Sequence, residues 1–575
     1  MPRPQNVQTV LVLSLLLSAS DGYVVPAGAG YVGAGYNILI GNNDGDHLFS
    51  YSGGPDAGML STKMILDKVL ASAPGEDYCA DQSIVCMGSA EETTDNQEAV
   101  VADLQQLQRL YATAWIFDSD PDEPPLPLET DLAGSRSATM NEAKEVLEAK
   151  GNVILDTRNI ITVAELRMKY KSTGKLTTEF LNDLCNLPAD YNRDVYRRFF
   201  STWGTHVVVA VKVGRLVISR DEIPVTSLNN LIMKAPSLAS IVHLDVATSS
   251  VSYDSSAFQN PFIVEKIIEL AKQGNFSGTI KHQFTRGTPS APTPIQLTLR
   301  RIDTLLTKNL LDNSYPNMKS YCPNYITAED KLNQTRANMR QGLYDYPQYF
   351  PSPSFGVISR SFQLDWPHGT YALIKNTNCP ETGTFPMWSA AGSLRLRDRF
   401  GMFAESLPST EFDVQLTPRR GNRADLTMKF CVKYADGING RYDWPMGSYC
   451  IFKKDKCPAG FAVGSISIRS RKAFLENDAL PDGYYLRRTS NLEFCCRNDR
   501  AINEAIILPT TQPFTLLSSG GQCQKVQGMR SSLRVQSFRK GELSGIHPYI
   551  TSNSRQRGVL GLMRLYFCYY QPNEP

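Results

Sequence analysis

Between Asn192 and Gly214 the chain changes its hydrophobic period. Tyr196, Phe199, Phe200 and Trp203 recur at i, i+3, i+4 and i+7, which puts four aromatic rings on one helical face. Asn192 is a fair N-cap and Gly204 a natural C-cap for that helix. From Thr205 the period is two: Val207, Val209, Val211 and Val213 face one way, Val208, Ala210 and Lys212 the other, and Gly214 closes the run. The pattern predicts a buried helix beside a bent strand. His206 reads as a hydrogen-bonded structural histidine rather than a catalyst.

Two flanking stretches carry other patterns. At 139–151 "TMNEAKEVLEAKG" predicts a charged helix with a Thr139/Glu142 capping box and Gly151 as terminator, after the acidic, proline-rich loop "DSDPDEPPLPLETD". At 241–250 "IVHLDVATSS" sets Val242, Leu244 and Val246 against His243, Asp245 and Ala247. "NPFIVEKIIELAKQG" (260–274) predicts an amphipathic helix capped by Asn260-Pro261 and Gly274. Its Ile263, Val264, Ile267 and Ile268 suit a strand equally well. An ordinary surface helix and strand is the plain alternative.

In the last third, "WPHGTYALIKNTNCP" (366–380) recurs as "WPMGSYCIFKKDKCP" (444–458), an offset of 444 − 366 = 78. A fainter copy, "PFTLLSSGGQCQ", begins at 513, and each copy ends in an aromatic-Cys pair: Phe430-Cys431, Phe494-Cys495 and Phe567-Cys568. Short β-branched and aromatic runs between these anchors predict three small sheets about a pseudo-threefold axis, with WPxG as the turn into a strand. If each lobe joins its first cysteine to its FC cysteine, the bonds are Cys379–Cys431, Cys457–Cys495 and Cys523–Cys568, leaving Cys450 with Cys496; eight cysteines allow 105 pairings.

Val10 to Leu17, behind Arg3 and before Ser18-Ala19-Ser20, reads as a signal peptide over residues 1–20. Twelve cysteines fit an oxidising destination. Cys79 and Cys86 are placed to close a small loop and Cys322 to tie back to Cys185, or any of the four bonds a second chain. Asn275 and Asn333 begin glycosylation sequons. "YDYPQYFPSPS" (344–354) reads as a semi-rigid linker.

At 575 residues, 42% hydrophobic and 20% charged, the chain is a multidomain globular protein. A net charge of +2 predicts no attraction to nucleic acid and no general pull toward anionic membranes. HExxH, GxSxG, P-loop and paired CxxC motifs are absent, so no catalytic residue, metal or cofactor is expected. "GNNDGD" (41–46) resembles a calcium loop but lacks its spacing and reads as a turn.

Tyr196, six residues before the block Trp203-Gly204-Thr205-His206, resembles the signature of the membrane-attack-complex/perforin (MACPF) family. Trp203 replaces the usual Phe or Tyr, and the family's glycine pair at the strand bend appears as Gly214-Arg215. "GAGYNILIGN" (33–42) looks like the opening strand and "PIQLTLRRIDTLL" (294–306) like the closing strand and helix. The resemblance implies an α+β fold over about 21–320: a bent, twisted antiparallel sheet flanked by two helical clusters, near 118–155 and 220–280. In pore-forming relatives each cluster unwinds into a β-hairpin of a closed barrel, which pairs every backbone polar group in lipid. Val242, Leu244, Val246, Ile263, Val264, Ile267 and Ile268 are the candidate inserting residues. A glycan on Asn275 argues against insertion there.

Residues 361–575, after a linker at 321–360, resemble the C-terminal domain of apextrins through "WPHGTY", "FCVKY", "LPDGYY", "FCCRND" and "QCQKVQGM". That implies an all-β, disulfide-bonded, β-prism-like recognition domain for microbial or cell-surface glycans, with Trp366 and Trp444 as candidate sugar-stacking residues and turn packing as their favoured role. The whole architecture resembles apextrin-type defence proteins and the heavy chain of perivitellin egg toxins. The resemblance implies a secreted protein that assembles as a homo-oligomer on lipid membranes, with a disulfide-linked lectin-type second chain as a further partner. The alternative is a non-lytic recognition protein.

Overall fold

The computed structural model describes residues 28–42, 44, 47–50, 57–70, 84–274, 278–288, 290–314, 329–350, 355–380, 388–397, 414–419, 423–434, 442–539, 542–552 and 562–573. The signal peptide and the sequon Asn275 lie outside them. The chain divides into two compact units: 1–149 with 154–221 and 281–356, and 150–153 with 222–280 and 357–575.

The first unit is built on an antiparallel sheet. The elements used below are β1 (Ala34–Tyr36), β2 (Ile84–Val101), α1 (Leu104–Ala112), α2 (Pro127–Thr130), α3 (Ala138–Lys144), β3 (Val153–Met168), α4 (Arg193–Trp203) and β4 (His206–Ile223). The chain then forms α5 (Val225–Lys234), β5 (His243–Asp245), β6 (Ser250–Asp254) and α6 (Pro261–Lys272) in the second unit, β7 (Ile280–Arg286), β8 (Thr293–Arg301) and α7 (Glu329–Asp345) in the first, and β9 (Ser359–Gln363) in the second again. The order β1-β4-β3-β2, with β7 and β8 also paired to β4, is the centre of a sheet of nine strands among the described residues. Helices therefore stand where tight turns would join β2 to β3 and β4 to β7.

The period change is borne out. Asn192 caps α4 by accepting from the Val195 N–H, and Gly204 ends it at φ 86°. Tyr196, Phe199, Phe200 and Trp203 are all buried, each contributing roughly 1.5–3 kcal/mol. Only glycine serves at 204: a Cβ there would stand 2.6 Å from the Tyr36 carbonyl oxygen. The strand does not stop at Gly214, as its pattern implied, but continues to Ile223. Gly214 marks a close approach instead, since a Cβ would lie 1.9 Å from the Ile161 carbonyl oxygen on β3. Arg215 is half-buried beside it.

Two other readings are corrected. The N-cap of α3 is Ser137, which accepts from the Met140 N–H; Thr139 is inside the first turn, its hydroxyl bonded to Asn42. Ser137 wins because its extended backbone leaves the helix where the Thr139 backbone is already helical. The expected linker contains α7, whose Asn338 donates to the Ala189 carbonyl (2.9 Å), and Tyr346 after it packs edge-on against Phe200.

The second unit holds the repeats. They comprise β10 (Tyr371–Ile374), β11 (Trp388–Arg397), β12 (Arg423–Lys433), β13 (Ser448–Lys453), β14 (Ala462–Arg469), β15 (Lys472–Glu476), β16 (Thr489–Asn498), β17 (Phe514–Ser518) and β18 (Leu562–Pro572). In each lobe the opening strand pairs with the FC strand: Leu373 opposite Cys431, Ile451 opposite Cys495, Leu516 opposite Cys568. The opening strands also pair with one another, β10 with β13 and β13 with β17. All four expected disulfides form: Cys379–Cys431, Cys450–Cys496, Cys457–Cys495 and Cys523–Cys568. The conserved spacing within the repeat has a local cause. In PxGxY the tyrosine hydroxyl donates to the proline carbonyl four residues back, at Tyr371 (2.9 Å) and Tyr449 (2.5 Å). Tyr485 does the same to Pro481 (2.8 Å), an occurrence outside the WPxG series.

Candidate functional site

The first cluster, between β2 and β3, is seated by charge. Glu129 on α2 accepts from the Leu126 N–H (2.7 Å) and meets Arg301 of β8 (3.2 Å) and His206 of the signature (3.3 Å). Burial pushes the Glu129 carboxyl up, but the His206 hydrogen bond, with Leu126 and Arg301, pulls it down to about 2. Thr205 lies 2.9 Å from the other ring nitrogen of His206, so the histidine is structural, as expected.

At the roots of the clusters lies a second network. Asp156 and Arg158 open β3, Arg220 closes β4, and all are buried. Arg158 bonds Asp156 (2.6 Å) and Asp44 (2.6 Å), and Arg220 bonds Asp156 (2.7 Å) and Asp44. Both guanidinium groups lie over the Tyr111 ring, at 5.2 and 5.7 Å. Burial alone would raise the Asp156 carboxyl; the charges of Arg158 and Arg220 hold it below the ordinary range. The loop read as a mere turn thus supplies the carboxylate, Asp44, that links two strands. Charges at inward strand positions 156, 158 and 220 were the available signal, and sequence reasoning passed over them.

The second cluster, 224–279, is held differently. Its β5–β6 hairpin is extended by β9, with Ser250 opposite Gln363 and Asp254 opposite Ser359. Backbone bonds continue at both ends, Ser255 N to the Ile358 oxygen (2.9 Å) and Leu364 N to the Ser249 oxygen (2.9 Å). Ser249, at the hairpin turn with φ 54°, also accepts from Thr510 N (3.0 Å), and the Thr510 hydroxyl donates to the Val246 carbonyl (3.0 Å). Met446 N reaches the Lys234 carbonyl (3.0 Å), Asp443 N reaches Asn230 (2.9 Å), and Lys234 pairs with Asp443.

Of the candidate inserting residues, Val242, Leu244, Ile263, Ile267 and Ile268 are buried, while Val246 and Val264 are half-buried. The hairpin alternates as read, with His243 exposed. Val246 and Leu244 pack over Gly528, where a Cβ would come within 2.7 and 3.2 Å of them. Among the described residues no helix is long and apolar enough to cross a membrane.

Trp366 and Trp444 do not offer a ring face to a sugar. They are 3% and 1% exposed and pack with Trp388, Tyr371 and Phe514, so the stacking role is corrected to turn packing beside the disulfides. Asn333 is exposed on α7, its sequon partner Thr335 buried and bonded to the Lys331 carbonyl (3.0 Å). Cys185 is disulfide-bonded. The side chains of Cys79, Cys86 and Cys322 lie outside the described residues.

Two family models match: the MAC/Perforin domain over residues 25–353 and the C-terminal domain of apextrin over 366–570. No curated protein matches the chain. Among solved structures, GNIP1Aa from Chromobacterium piscinae is similar at 10% identity and TM-score 0.31, covering 91% of each chain. A putative cell invasion protein with a MAC/Perforin domain from Bacteroides thetaiotaomicron is similar at 11% identity and TM-score 0.25, covering 60% of this chain and 63% of that one. Astrotactin-2, a vertebrate perforin-like membrane protein, is similar at 10% identity and TM-score 0.21, covering 80% and 64%.

Proposed function

The chain belongs to the MAC/perforin family, and on that premise we propose that it is a secreted membrane-damaging protein whose second cluster becomes a β-hairpin on its target. The observation that carries this reading is the topology: helices and a short hairpin stand between β4 and β7, strands already adjacent and ready to be extended. Once extended, Val242, Leu244 and Val246 would face lipid and His243, Asp245 and Ala247 the lumen. A barrel needs many copies, so the protein would act as a homo-oligomer, and closure would satisfy every backbone group. Four disulfides support an extracellular setting. The apextrin-type domain would select the surface through lipid or glycan. No catalytic family is indicated by the matches.

Insertion on this reading has a definite first step. The hairpin must leave β9, and Leu244 and Val246 must leave Gly528. A second reading, a recognition protein that keeps the fold without lysis, draws support from the charge-seated first cluster and from Arg215 beside Gly214. Dye release from liposomes and red cells, with electron microscopy of the same membranes, tests the choice. Leakage with rings is expected. Binding without either, with and without a candidate lectin-type second chain, would establish the non-lytic reading.

A further inference from the structure

A net charge of +2 conceals a strongly uneven distribution in the apextrin-type domain. The register of three strand ends brings distant cations to one edge. Arg469 ends β14 opposite Thr489; Lys472 opens β15 opposite Arg397; Arg395 stands opposite Phe474. The intervening turns are pinned to the same edge, Ser470 N to the Arg488 carbonyl (3.2 Å) and Arg471 N to the Arg397 carbonyl (2.8 Å). Arg395, Arg397, Arg469, Arg471, Lys472, Arg487 and Arg488 therefore share one end of the sheet.

Three of these cations surround a single ring: Lys472 and Arg397 lie 4.6 Å from the Phe474 centroid, and Arg395 lies 6.0 Å from it. Among the described residues the carboxylate in their midst is Asp425, fully buried, 2.7 Å from Arg395 and 3.8 Å from Arg397. Arg469, Arg471, Lys472, Arg487 and Arg488 are exposed, and among the described residues none is in an ion pair. Glu476 lies at the far end of β15, and Glu542 touches the edge through its carbonyl at Ser467. An exposed apolar side chain sits among the charges: Leu486, 60% exposed, directly precedes Arg487, with the exposed Tyr484 two residues before it.

Like charges gathered this closely repel one another, and an external anion relieves the repulsion. Arginines interleaved with an exposed leucine and a tyrosine match a layer of anionic headgroups over acyl chains, where each class of side chain finds its own medium. Polysaccharides and nucleic acids supply the charge without an apolar layer for Leu486. We propose that this edge is the surface by which the protein docks onto membranes containing anionic lipid. The inference rests on the membrane-acting reading above and names the chemistry that the recognition domain selects.

The test is co-sedimentation of the full-length protein with vesicles of phosphatidylcholine alone and with about 30% phosphatidylserine, at low and high salt. Binding to the anionic vesicles is expected to be roughly a hundredfold tighter and to fall steeply with salt. Joint substitution of Arg469→Glu, Arg471→Glu, Arg487→Glu and Arg488→Glu should abolish the preference, while lysine at the same four positions keeps it and shows that folding is intact. Leu486→Ser should weaken binding to vesicles without altering its salt dependence. Equal binding to both vesicle types, indifference to charge reversal, or charge-dependent binding to a sulfated polysaccharide but not to vesicles would each overturn the proposal. Anionic binding without dye release would keep the docking edge and sink the pore reading. Equal leakage from both vesicle types would do the reverse.

Discussion

The two helical clusters occupy equivalent places, each joining neighbouring antiparallel strands, yet they are held by different physics. The first is seated by buried charge: Glu129 between His206 and Arg301, and its roots at Asp44, Asp156, Arg158 and Arg220. The second is held by backbone pairing to β9, by the hydroxyls of Ser249 and Thr510, by the half-exposed Lys234–Asp443 pair and by buried apolar side chains such as Val251 and Leu244. A buried ion pair is costly to break from one side because the partner is left uncompensated. A short β-ladder exchanges its backbone hydrogen bonds for water with little net loss, and leaving β9 then costs chiefly the burial of Val251 and Tyr253. On this contrast rests the proposal that the second cluster is the one to leave.

The largest test of that contrast is a covalent one. Ser252→Cys with Ser361→Cys, directly opposite on β6 and β9, should form a disulfide that abolishes lysis, and reduction should restore it. Full lysis by the oxidised protein would show that the second cluster need not leave. Next, Arg220→Met should cost the first unit about 3–5 kcal/mol in urea unfolding, since Asp44 and Asp156 lose a partner. A cost below about 1 kcal/mol would remove the charge half of the comparison.

Acid should act on the first cluster through Glu129. The Glu129 carboxyl is held near 2, below its ordinary 4.5, so its contribution is complete above pH 4.5 and disappears as pH falls from there toward 2. That contribution is at most about 3 kcal/mol. Glu129→Gln should flatten this part of the stability profile measured by urea midpoints, and an unchanged profile would contradict the assignment. The smallest effect belongs to Ser249→Ala, which leaves Thr510 N without its acceptor and should cost about 1 kcal/mol. Its readout is faster amide exchange across Ser250–Asp254 and earlier lysis, with global stability little changed.

Much of this was legible because it is local. The α4 face needs only the 3.6-residue period, and the end of the helix needs only Gly204. The four disulfides of the repeats follow from one internal pairing rule applied three times, with Cys450 and Cys496 left over. The tryptophans were less legible: a Trp in a turn looks alike in sequence whether it faces solvent or, as Trp444 does, the ring of Tyr371 at 4.9 Å. The cap of α3 was misplaced because Ser137 and Thr139 are both good caps, and the Thr139 hydroxyl is instead taken by Asn42, about a hundred residues away.

The sequence by itself determined the family, the repeat and the alternation of Val242, Leu244 and Val246, since periods, caps and spacings act over a few residues. Tertiary structure alone decided what covers that alternation, because β9 and Gly528 reach the hairpin from beyond residue 350. It also decided that Asp44 would meet Arg158 and Arg220, and that seven cations would meet at one edge. Charges have no period to announce their partners; only the folded register brings them together.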